Sequence, residues 1–187
     1  MRRFIVGMTG ASGAIIGVRL LEELKKDPEI ETHLVLSDGA KMNIALETPL
    51  TVEEVKALAD ICYPIEDIAA SIASGSFLVE GMAVVPCSIK ALSAIANSYN
   101  ANLLTRAADV TVKEGRPLIL SPRETPLHRG HLKLMFEASE IGARIIPPMM
   151  TFYHRPKSVE EMVDHTVGRL LDALKVEHNL FKRWEGS

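Results

Sequence analysis

A glycine-rich segment near the start of the chain has the composition of an anion-binding turn. Residues 7–13, GMTGASG, follow the apolar run 4–6 and precede residues 14–25, whose apolar spacing predicts an amphipathic helix. Small residues let a backbone approach a phosphate closely, and the first N–H groups of a helix face such an anion. The glycine spacing is not the G-x-G-x-x-G of a dinucleotide site, so the segment suits a mononucleotide phosphate at least as well. A tight strand-to-helix turn without a ligand is the alternative that these residues leave open.

Two later segments carry groups suited to binding an anion or moving a proton. In residues 87–90, CSIK, the Ser88 hydroxyl and the first N–H groups of the following helix suit a phosphate or the polar edge of a ring. In residues 121–126, SPRETP, Arg123 suits a phosphate and Glu124 suits proton transfer. A helix cap beside a solvated lysine, and an ordinary surface ion pair, are the simpler interpretations of these two segments.

The residue types that bind metals or act as nucleophiles have no supporting neighbours in the sequence. His128 and His131 are three residues apart but lack a third ligand at metal spacing, so we interpret them as surface histidines and expect no metal. Cys87 has no histidine near it in the sequence. We therefore interpret it as a small buried residue that follows a strand.

Strand-like and helix-like segments alternate along the chain. The predicted strands are residues 4–6, 32–37, 81–85, 117–120 and 144–146. The predicted helices are residues 14–25, 38–46, 52–59, 89–96, 103–113, 131–141 and 159–174. Residues 62–75 give mixed signals and are interpreted as a loop with a short helix, and the third strand is expected to stop at Pro86. The alternation predicts an α/β fold of three layers, in which helices cover both faces of a doubly wound parallel sheet.

The segments that carry chemistry all follow predicted strands. They are residues 10–13, Ser37, residues 86–90 and residues 121–125. In a doubly wound sheet, ligands bind in the crevice beyond the carboxyl ends of the strands. The sequence therefore predicts one composite site at that edge of the sheet.

The bulk properties limit the class of protein. The 187 residues are enough for one domain, 1–187, that buries roughly 70% of its unfolded surface. A net charge of −3 without a basic stripe argues against nucleic acid, and no apolar run approaches the ~20 residues of a membrane span. The two cysteines form no spacing pattern, so a reducing cytoplasm is the expected compartment. With 47% hydrophobic residues, either the core is large or other subunits cover apolar surface, and the composition leaves both open.

A set of short motifs, in order along almost the whole chain, resembles one family. The motifs are TGASG at 9–13, VPCSIK at 85–90, RAADV at 106–110, KE at 113–114, RETPL at 123–127, PP at 147–148, FY at 152–153 and RW at 183–184. Together they resemble the UbiX-type flavin prenyltransferases, and most of all the small B subunits associated with phenolic (hydroxyarylic) acid decarboxylases. Each motif alone is a weak signal, whereas the set is specific.

This resemblance implies a fold, an activity and partners. The fold is flavodoxin-like or Rossmann-like, and the subunits form a closed homo-oligomer, typically a dodecamer. The C-terminal helix and tail (about 158–187) are expected to take part in the subunit contacts. Family members bind reduced FMN and join a dimethylallyl group from dimethylallyl phosphate to flavin N5 and C6. The prenylated FMN then passes to a partner decarboxylase of the UbiD type.

The resemblance also carries functional residues onto positions of this sequence. The implied FMN contacts are Gly10, Ala11, Ser12, Ser37, Ser88, Ile89, Lys90, Ala91 and Arg123. The implied prenyl phosphate contacts are Lys113, Arg123, Tyr153 and Arg169. The implied catalytic residues are Ser12, Glu47 and Glu124. The cations among the phosphate contacts supply the charge that a departing phosphate needs, so no metal ion is expected to be required.

The sequence departs from the family pattern in two places. Ile89 and Ala91 stand where Met and Thr are usual after Ser88. Because a backbone contact survives a change of side chain, FMN binding is still expected. Residues 149–151, MMT, replace a stretch richer in proline and alanine where the isoprenoid pocket is expected, which bears on the identity of the donor rather than on the reaction.

Three other functions fit parts of the pattern. A flavin-dependent decarboxylase on the same fold, such as a cysteine-peptide decarboxylase, would carry Pro-Ala-Ser-Ala-Asn-Thr where this chain has PCSIK at 86–90. A nicotinamide enzyme would use Asp38 as a ribose ligand, but the glycine spacing argues against it. An FMN carrier that delivers the cofactor to a decarboxylase subunit would bind FMN without turnover and would leave the phosphate-binding cations unexplained.

Overall fold

A six-stranded parallel sheet forms the centre of the protein. The computed structural model describes residues 1–184 and residue 186. The strands are β1 (Arg2–Met8), β2 (Ile30–Leu36), β3 (Ile61–Tyr63), β4 (Gly81–Cys87), β5 (Leu118–Pro122) and β6 (Arg144–Ile145). Their order across the sheet is β3-β2-β1-β4-β5-β6, and every paired neighbour is parallel. This is the strand order of the Rossmann fold, which confirms the predicted doubly wound α/β architecture.

Helices cover both faces of the sheet and make the three layers that the alternation predicts. The helices are α1 (Ala14–Leu24), α2 (Asp38–Glu47), α3 (Val52–Lys56), α4 (Ile89–Ala96), α5 (Leu103–Lys113), α6 (Arg129–Glu140) and α7 (Val159–Leu174), with a 3₁₀ turn at Ser71–Ala73. Helices α1, α2, α3 and α7 pack on one face, and α4, α5 and α6 pack on the other.

The central strands bury both of their faces. In β1, Phe4 and Val6 point into the core under α1 and α7, while Ile5 points into the core under α4 and α5. All three side chains are 0–1% exposed. Strands covered on both sides read as continuous apolar runs rather than as alternating patterns. Each layer of helices therefore has its own hydrophobic core, and the two cores share the sheet.

Two strands differ from their sequence-based prediction. β3 lies in the segment interpreted as a loop, and this three-residue edge strand is too short to give a periodic signal. β4 does not stop at Pro86 but continues to Cys87. Proline is tolerated inside a sheet at an irregularity, because its missing N–H then costs no regular ladder bond. The pairing of β4 with β5 shifts register between Val84 and Cys87, which is where Pro86 lies.

Most helix boundaries agree with the prediction, and α5 and α7 agree residue for residue. The helix predicted at 52–59 ends earlier, at Lys56, although Thr51 caps its start and forms a capping box with Glu54. Helix α6 begins at Arg129 rather than at residue 131, because the His128 imidazole caps it by accepting a hydrogen bond from the Gly130 N–H at 3.0 Å. Histidine is an uncommon N-cap, so the sequence gives little sign of this start.

The fold brings two helix N-termini to the same place. β1 and β4 are neighbours in the sheet, but α1 leaves toward one face and α4 toward the other. A crevice opens at such a reversal, at the carboxyl edge of the sheet. Helix α5 runs back across the sheet and ends at the amino edge, just before β5 begins.

Candidate functional site

The Thr9 hydroxyl joins the two loops that form the crevice. Thr9 is 4% exposed. Its hydroxyl donates to the Pro86 carbonyl at 2.9 Å and accepts from the Ser88 N–H at 2.7 Å, while its own N–H donates to the Pro86 carbonyl at 3.1 Å. The loops after β1 and β4 are therefore held in register at the start of α4. Thr9 lies in the glycine-rich motif, and its hydroxyl among the glycines is the sequence signal for this contact, which has no predicted role.

The turns after β1 and β2 touch backbone to backbone. A Cβ added to Gly10 would lie 3.0 Å from the Gly39 Cα, and a Cβ added to Gly39 would lie 2.8 Å from the Gly10 Cα. Both positions therefore require glycine for a close approach. Next to them, the Ser37 hydroxyl caps α2 by accepting from the Ala40 N–H at 3.1 Å. Gly39 is a residue of the site that sequence analysis did not identify.

The Glu47 carboxylate lies at the N-terminus of α1. Glu47 ends α2, and its Oε2 accepts hydrogen bonds from the Gly13 N–H at 2.8 Å and the Ala14 N–H at 2.9 Å. The positive end of a helix dipole favours such a carboxylate. The phosphate contact that the sequence predicts at this turn stays a prediction, and an anion bound to these two N–H groups would have to displace Glu47. Ser12 lies exposed beside this contact, and Ala11 is buried.

The N-terminus of α4 lies at the crevice, and no carboxylate is bound to it among the described contacts. The Ser88 hydroxyl caps it by accepting from the Ala91 N–H at 3.2 Å. In this first turn Ile89 is half-buried, Lys90 is exposed and Ala91 is 8% exposed. First-turn N–H groups such as those of Ile89 and Lys90 have no partner within their own helix. This turn is therefore suited to an anion or to the carbonyl edge of a ring.

The end of β5 contributes buried polar atoms without partners. Within residues 1–184, no hydrogen-bond partner lies near the buried Ser121 Oγ or the buried Arg123 Nε. Ser121 is 1% exposed, and the Arg123 N–H donates to the Cys87 carbonyl at 3.2 Å, which ties this segment to β4. Buried polar atoms are nearly always hydrogen-bonded, so a ligand is the natural partner here. Ser121 was not singled out from the sequence, although it is the polar residue that ends an apolar strand.

Glu124 follows Arg123 but has a different environment. It is exposed, and its carboxylate accepts a hydrogen bond from the adjacent Thr125 N–H at 3.0 Å. Glu124 is thus placed at the carboxyl edge beside Arg123, as predicted. Its carboxylate is held by a local turn, whereas the carboxylate of Glu47 is engaged by another helix.

Tyr153 and Arg169 belong to a second cluster of side chains, centred on α7. The Tyr153 hydroxyl lies 2.9 Å from His165 Nε2. Arg169 is one turn further along the helix, is exposed and pairs with Asp172 at 3.4 Å. Arg169 is not among the buried residues of α7, which include His165 beside the apolar Val167, Leu170, Leu171 and Leu174.

The C-terminal tail folds back along α7 to Tyr153. Phe181 packs against His165 with ring centroids 4.7 Å apart, and Trp184 meets Tyr153 edge to face at 6.3 Å. Trp184 is 71% exposed and borders a cavity of about 280 Å³ together with Tyr153. Of the region 158–187, Glu185 and Ser187 lie outside the described residues.

Lys113 does not join the other predicted phosphate contacts within one chain. It ends α5 at the amino edge of the sheet, where its ammonium pairs with Glu114 and lowers the pKa of that carboxyl. Arg123 follows the other end of β5. Five strand residues at ~3.3 Å per residue separate the two edges. Lys113 and Arg123 of one chain therefore lie on opposite edges of the sheet, and their shared contact with the prenyl phosphate stays a prediction.

Cys87 and the histidine pair have no visible reactive arrangement. Burial raises the pKa of the Cys87 thiol to about 12, so this residue is a protonated, buried thiol, as interpreted from the sequence. His128 and His131 stack with ring centroids 3.6 Å apart, and the half-buried His131 is not the surface residue that we expected. Among the described residues, no group of three or more His, Cys, Asp or Glu side chains is placed to hold a metal ion.

A groove of about 510 Å³ lies between α4 and α6, beside Lys90.

Among the residues that the structure describes, no helix is long and apolar enough to cross a membrane.

Comparison with known proteins places the chain among flavoproteins. The Flavoprotein family matches residues 1–171. Flavin prenyltransferase UbiX of Escherichia coli K12 is 56% identical over 189 residues, covering 100% of both chains. The crystal structure of AnUbiX (PadA1) in complex with FMN and dimethylallyl pyrophosphate is 45% identical with a TM-score of 0.97, covering 100% of this chain and 98% of that one. The dodecameric FMN-dependent UbiX-like decarboxylase from Escherichia coli O157:H7 is 49% identical with a TM-score of 0.96, and the match covers 98% of this chain and 100% of that one.

Proposed function

Because the chain belongs to the flavoprotein family and, within it, to the UbiX-type flavin prenyltransferases, we propose that its crevice joins a dimethylallyl group to reduced FMN. The chain is a flavin prenyltransferase, and the bonds form at flavin N5 and C6. The observation that supports this location is a pair of buried atoms at the end of β5, Ser121 Oγ and Arg123 Nε, that have no hydrogen-bond partner among residues 1–184. They adjoin the loop after β4, because the Arg123 N–H donates to the Cys87 carbonyl.

The described residues of the crevice fit a flavin mononucleotide. The first turn of α4, from Ser88 to Ala91, offers N–H groups to the ring or the phosphate, and Arg123 offers a guanidinium. Gly10 and Gly39 keep the floor free of side chains. Ser37 and Ser88 each accept a capping bond with the hydroxyl oxygen, which leaves each hydroxyl hydrogen available to a ligand. FMN supplies the nucleophilic ring atoms when it is bound, and the chain supplies their position.

Cations would hold the phosphate of the prenyl donor. Breaking an allylic carbon–oxygen bond leaves negative charge on the departing phosphate, so groups that bind this charge more tightly in the transition state accelerate the step. We assign Arg123 at the crevice, and Arg169 and the Tyr153 hydroxyl in the cluster on α7, to this phosphate. The solved relative holds dimethylallyl pyrophosphate, so the donor of this chain is dimethylallyl phosphate or its pyrophosphate.

Lys113 would come from another copy of the chain. It lies at the opposite edge of its own sheet, yet the family resemblance assigns it to the donor phosphate. Large apolar side chains are exposed on α2, α6 and the tail, including Leu46 at 78%, Phe136 at 61% and Trp184 at 71%. Exposed apolar surface of this extent indicates contact with other subunits. The dodecameric relative supports an assembly in which one subunit completes the site of the next.

Proton movements would involve Glu124. The new carbon–carbon bond at C6 requires a base, and Glu124 is an exposed carboxylate next to Arg123. Glu47 and Ser12 lie together at the start of α1, where Glu47 fixes the turn that contains Ser12.

The product would pass to a UbiD-type decarboxylase, and the reaction would take place in the cytoplasm. Cys62 and Cys87 are both free thiols, which agrees with a reducing compartment. The chain would therefore act as a supplier of cofactor and not as the decarboxylase itself.

One anaerobic assay tests the proposed function. Purified protein is mixed with reduced FMN and either dimethylallyl phosphate or dimethylallyl pyrophosphate, and the flavin product is weighed by mass spectrometry. We expect FMN plus one C₅H₈ unit with at least one of the donors. Bound but unchanged FMN with both donors would identify a carrier, and release of CO₂ from an aromatic acid without any partner would identify a decarboxylase.

A further inference from the structure

Tyr153 lies on a segment that cannot fix its hydroxyl by itself. Residues 146–158 contain no helix or strand, and Tyr153 is 59% exposed. A hydrogen-bond donor for a phosphate must be held near one position, because displacement of about 1 Å is enough to weaken catalysis substantially. The hydroxyl therefore needs a partner on a rigid element.

His165 is that partner. It belongs to α7, a helix of 16 residues, and is 5% exposed on the helix face that packs against the rest of the protein. Its Nε2 lies 2.9 Å from the Tyr153 hydroxyl, and its Nδ1 lies 3.2 Å from the Thr151 hydroxyl. A polar chain thus runs from Thr151 through the imidazole to Tyr153.

Aromatic packing fixes the plane of the His165 ring. The His154 ring stacks on it at 4.6 Å with an angle of 6° between the planes, and Phe181 packs against it at 4.7 Å. Burial lowers the pKa of His165, and electrostatic repulsion from its neighbours His154 and Arg169 lowers it further. The imidazole is therefore neutral at neutral pH, with one nitrogen that donates and one that accepts.

The two possible arrangements of protons have different consequences for Tyr153. In one, the Tyr153 hydroxyl donates to Nε2, and its proton is then unavailable to a ligand. In the other, Nε2–H donates to the Tyr153 oxygen, Nδ1 accepts from the Thr151 hydroxyl, and the Tyr153 proton points outward. Bonds in such a chain polarise one another, so the second arrangement also makes the tyrosine a stronger donor.

We propose that His165 is a positioning residue for the prenyl donor: it donates from Nε2 to Tyr153 and so directs the tyrosine proton at the donor phosphate. This inference rests on the proposed function and extends it to a residue that does not touch the donor. Binding of the anion selects the second arrangement, because only that arrangement satisfies the phosphate and the imidazole together. Thr151 completes the chain from the other side of the ring.

A double-mutant cycle tests the role of His165. Dimethylallyl phosphate is titrated calorimetrically into the assembled protein loaded with oxidised FMN, so that binding is read without turnover. We expect His165→Leu and Tyr153→Phe each to weaken donor binding about tenfold, the typical effect of losing one hydrogen bond to a charged group. We expect the double variant to bind no more weakly than Tyr153→Phe. His165→Gln should recover most of the affinity, since its amide N–H can donate from nearly the same point.

The control is His33→Gln, which alters a fully buried histidine in the opposite core and should leave donor binding unchanged. Losses that add up in the double variant, or a His165→Leu variant that loses FMN and donor equally, would show that His165 only supports the fold. Coupled binding losses in a protein that fails the anaerobic assay would retain the positioning role and overturn the prenyl transfer. If the wild-type protein transfers prenyl groups but the two variants show no coupling, prenyl transfer is retained and the positioning role of His165 is overturned.

Discussion

At the scale of single residues, two carboxylates with the same expected role differ in their environments. Glu47 accepts hydrogen bonds from Gly13 and Ala14 and so completes the start of α1. Glu124 is exposed, next to the guanidinium of Arg123, and is engaged only by the N–H of its neighbour among the described contacts. The structure therefore favours Glu124 as the group that can take up a proton during the reaction.

Replacing Glu124 by glutamine should slow the chemical step. Glutamine keeps the size and the hydrogen bond to Thr125 but cannot accept a proton, so we expect a loss of ~10²–10⁴-fold in the single-turnover rate at saturating donor. Stopped-flow measurement under anaerobic conditions gives this rate. Glu29→Gln, an exposed change at the amino edge, is the matched control. An unchanged rate with a raised donor KM would mean that Glu124 only orients Arg123.

The residues after strands could be predicted from the sequence, because strand ends of a parallel sheet meet at one edge. Ser37, Ser88 and Arg123 were found in this way. Gly39 and the capping contact of Glu47 could not be found, since each depends on which loop lies opposite, and Ser121 lay within a candidate segment without an assigned role. The Ser121 hydroxyl is significant only because nothing in the described chain binds it.

At the scale of elements, α7 and the tail depend on one glycine. A Cβ on Gly168 would lie 2.6 Å from the His178 ring and closer still to Phe181. Asp172 anchors the end of the same tail, with Arg183 at 2.7 Å and His178 at 3.2 Å. Although burial alone would raise the pKa of Asp172, hydrogen bonds from Arg183 and His178 hold it below its usual value.

Replacing Gly168 by alanine should release the tail. Alanine is favoured over glycine in a helix by about 1 kcal/mol, but forcing side chains apart costs typically 1–3 kcal/mol, so we expect the clash to outweigh the gain. Trypsin should then cut after Lys182 and Arg183 several-fold faster than in the wild type. Glu160→Ala, an exposed change in the first turn of α7, is the control. Equal cleavage rates in Gly168→Ala and wild type would show that the tail absorbs the methyl group.

Long elements with strong periodicity could be predicted from the sequence. A short edge strand and a helix start with an unusual cap could not. α5 and α7 match because caps and apolar stripes agree along their whole length. β3 has three residues at the edge of the sheet, and its existence depends on β2 as a template. The start of α6 depends on an imidazole cap, a chemistry that propensities do not favour.

At the scale of the whole molecule, the high apolar content has a two-part explanation. Two cores share the sheet, as expected if the core is large. Large apolar side chains also remain exposed on α2, α6 and the tail, as expected if other subunits cover apolar surface. The composition could not separate these alternatives, since surface covered by another chain and surface buried within one chain have the same residue types. Which of these surfaces meet in the assembly, and whether residues 158–187 take part, stays a prediction.

Mixed assemblies should show whether the donor site is shared between subunits. We expect Lys113→Ala and Arg123→Ala to be nearly inactive when expressed separately. When the two variants are co-expressed with different tags and purified as mixed oligomers, about a quarter of the sites should have both residues if a neighbour supplies Lys113, as expected for random assortment in a symmetric assembly.

Tyr153→Phe mixed with Arg169→Ala is the matched control, because one chain carries both residues beside His165. That pair should not regain activity on mixing. The shared site would be contradicted if the control mixture regained activity, or if the mixture of Lys113→Ala and Arg123→Ala did not.

Burial of Cys87 has a consequence for how the enzyme withstands its own chemistry. Reduced flavins react with oxygen to give hydrogen peroxide, and peroxide attacks thiolates, not thiols. Cys87 immediately precedes Ser88, at the crevice proposed for reduced FMN, yet burial raises the pKa of its thiol to about 12. Its sulfur is therefore held as the thiol, the form that peroxide formed at the crevice oxidises slowly.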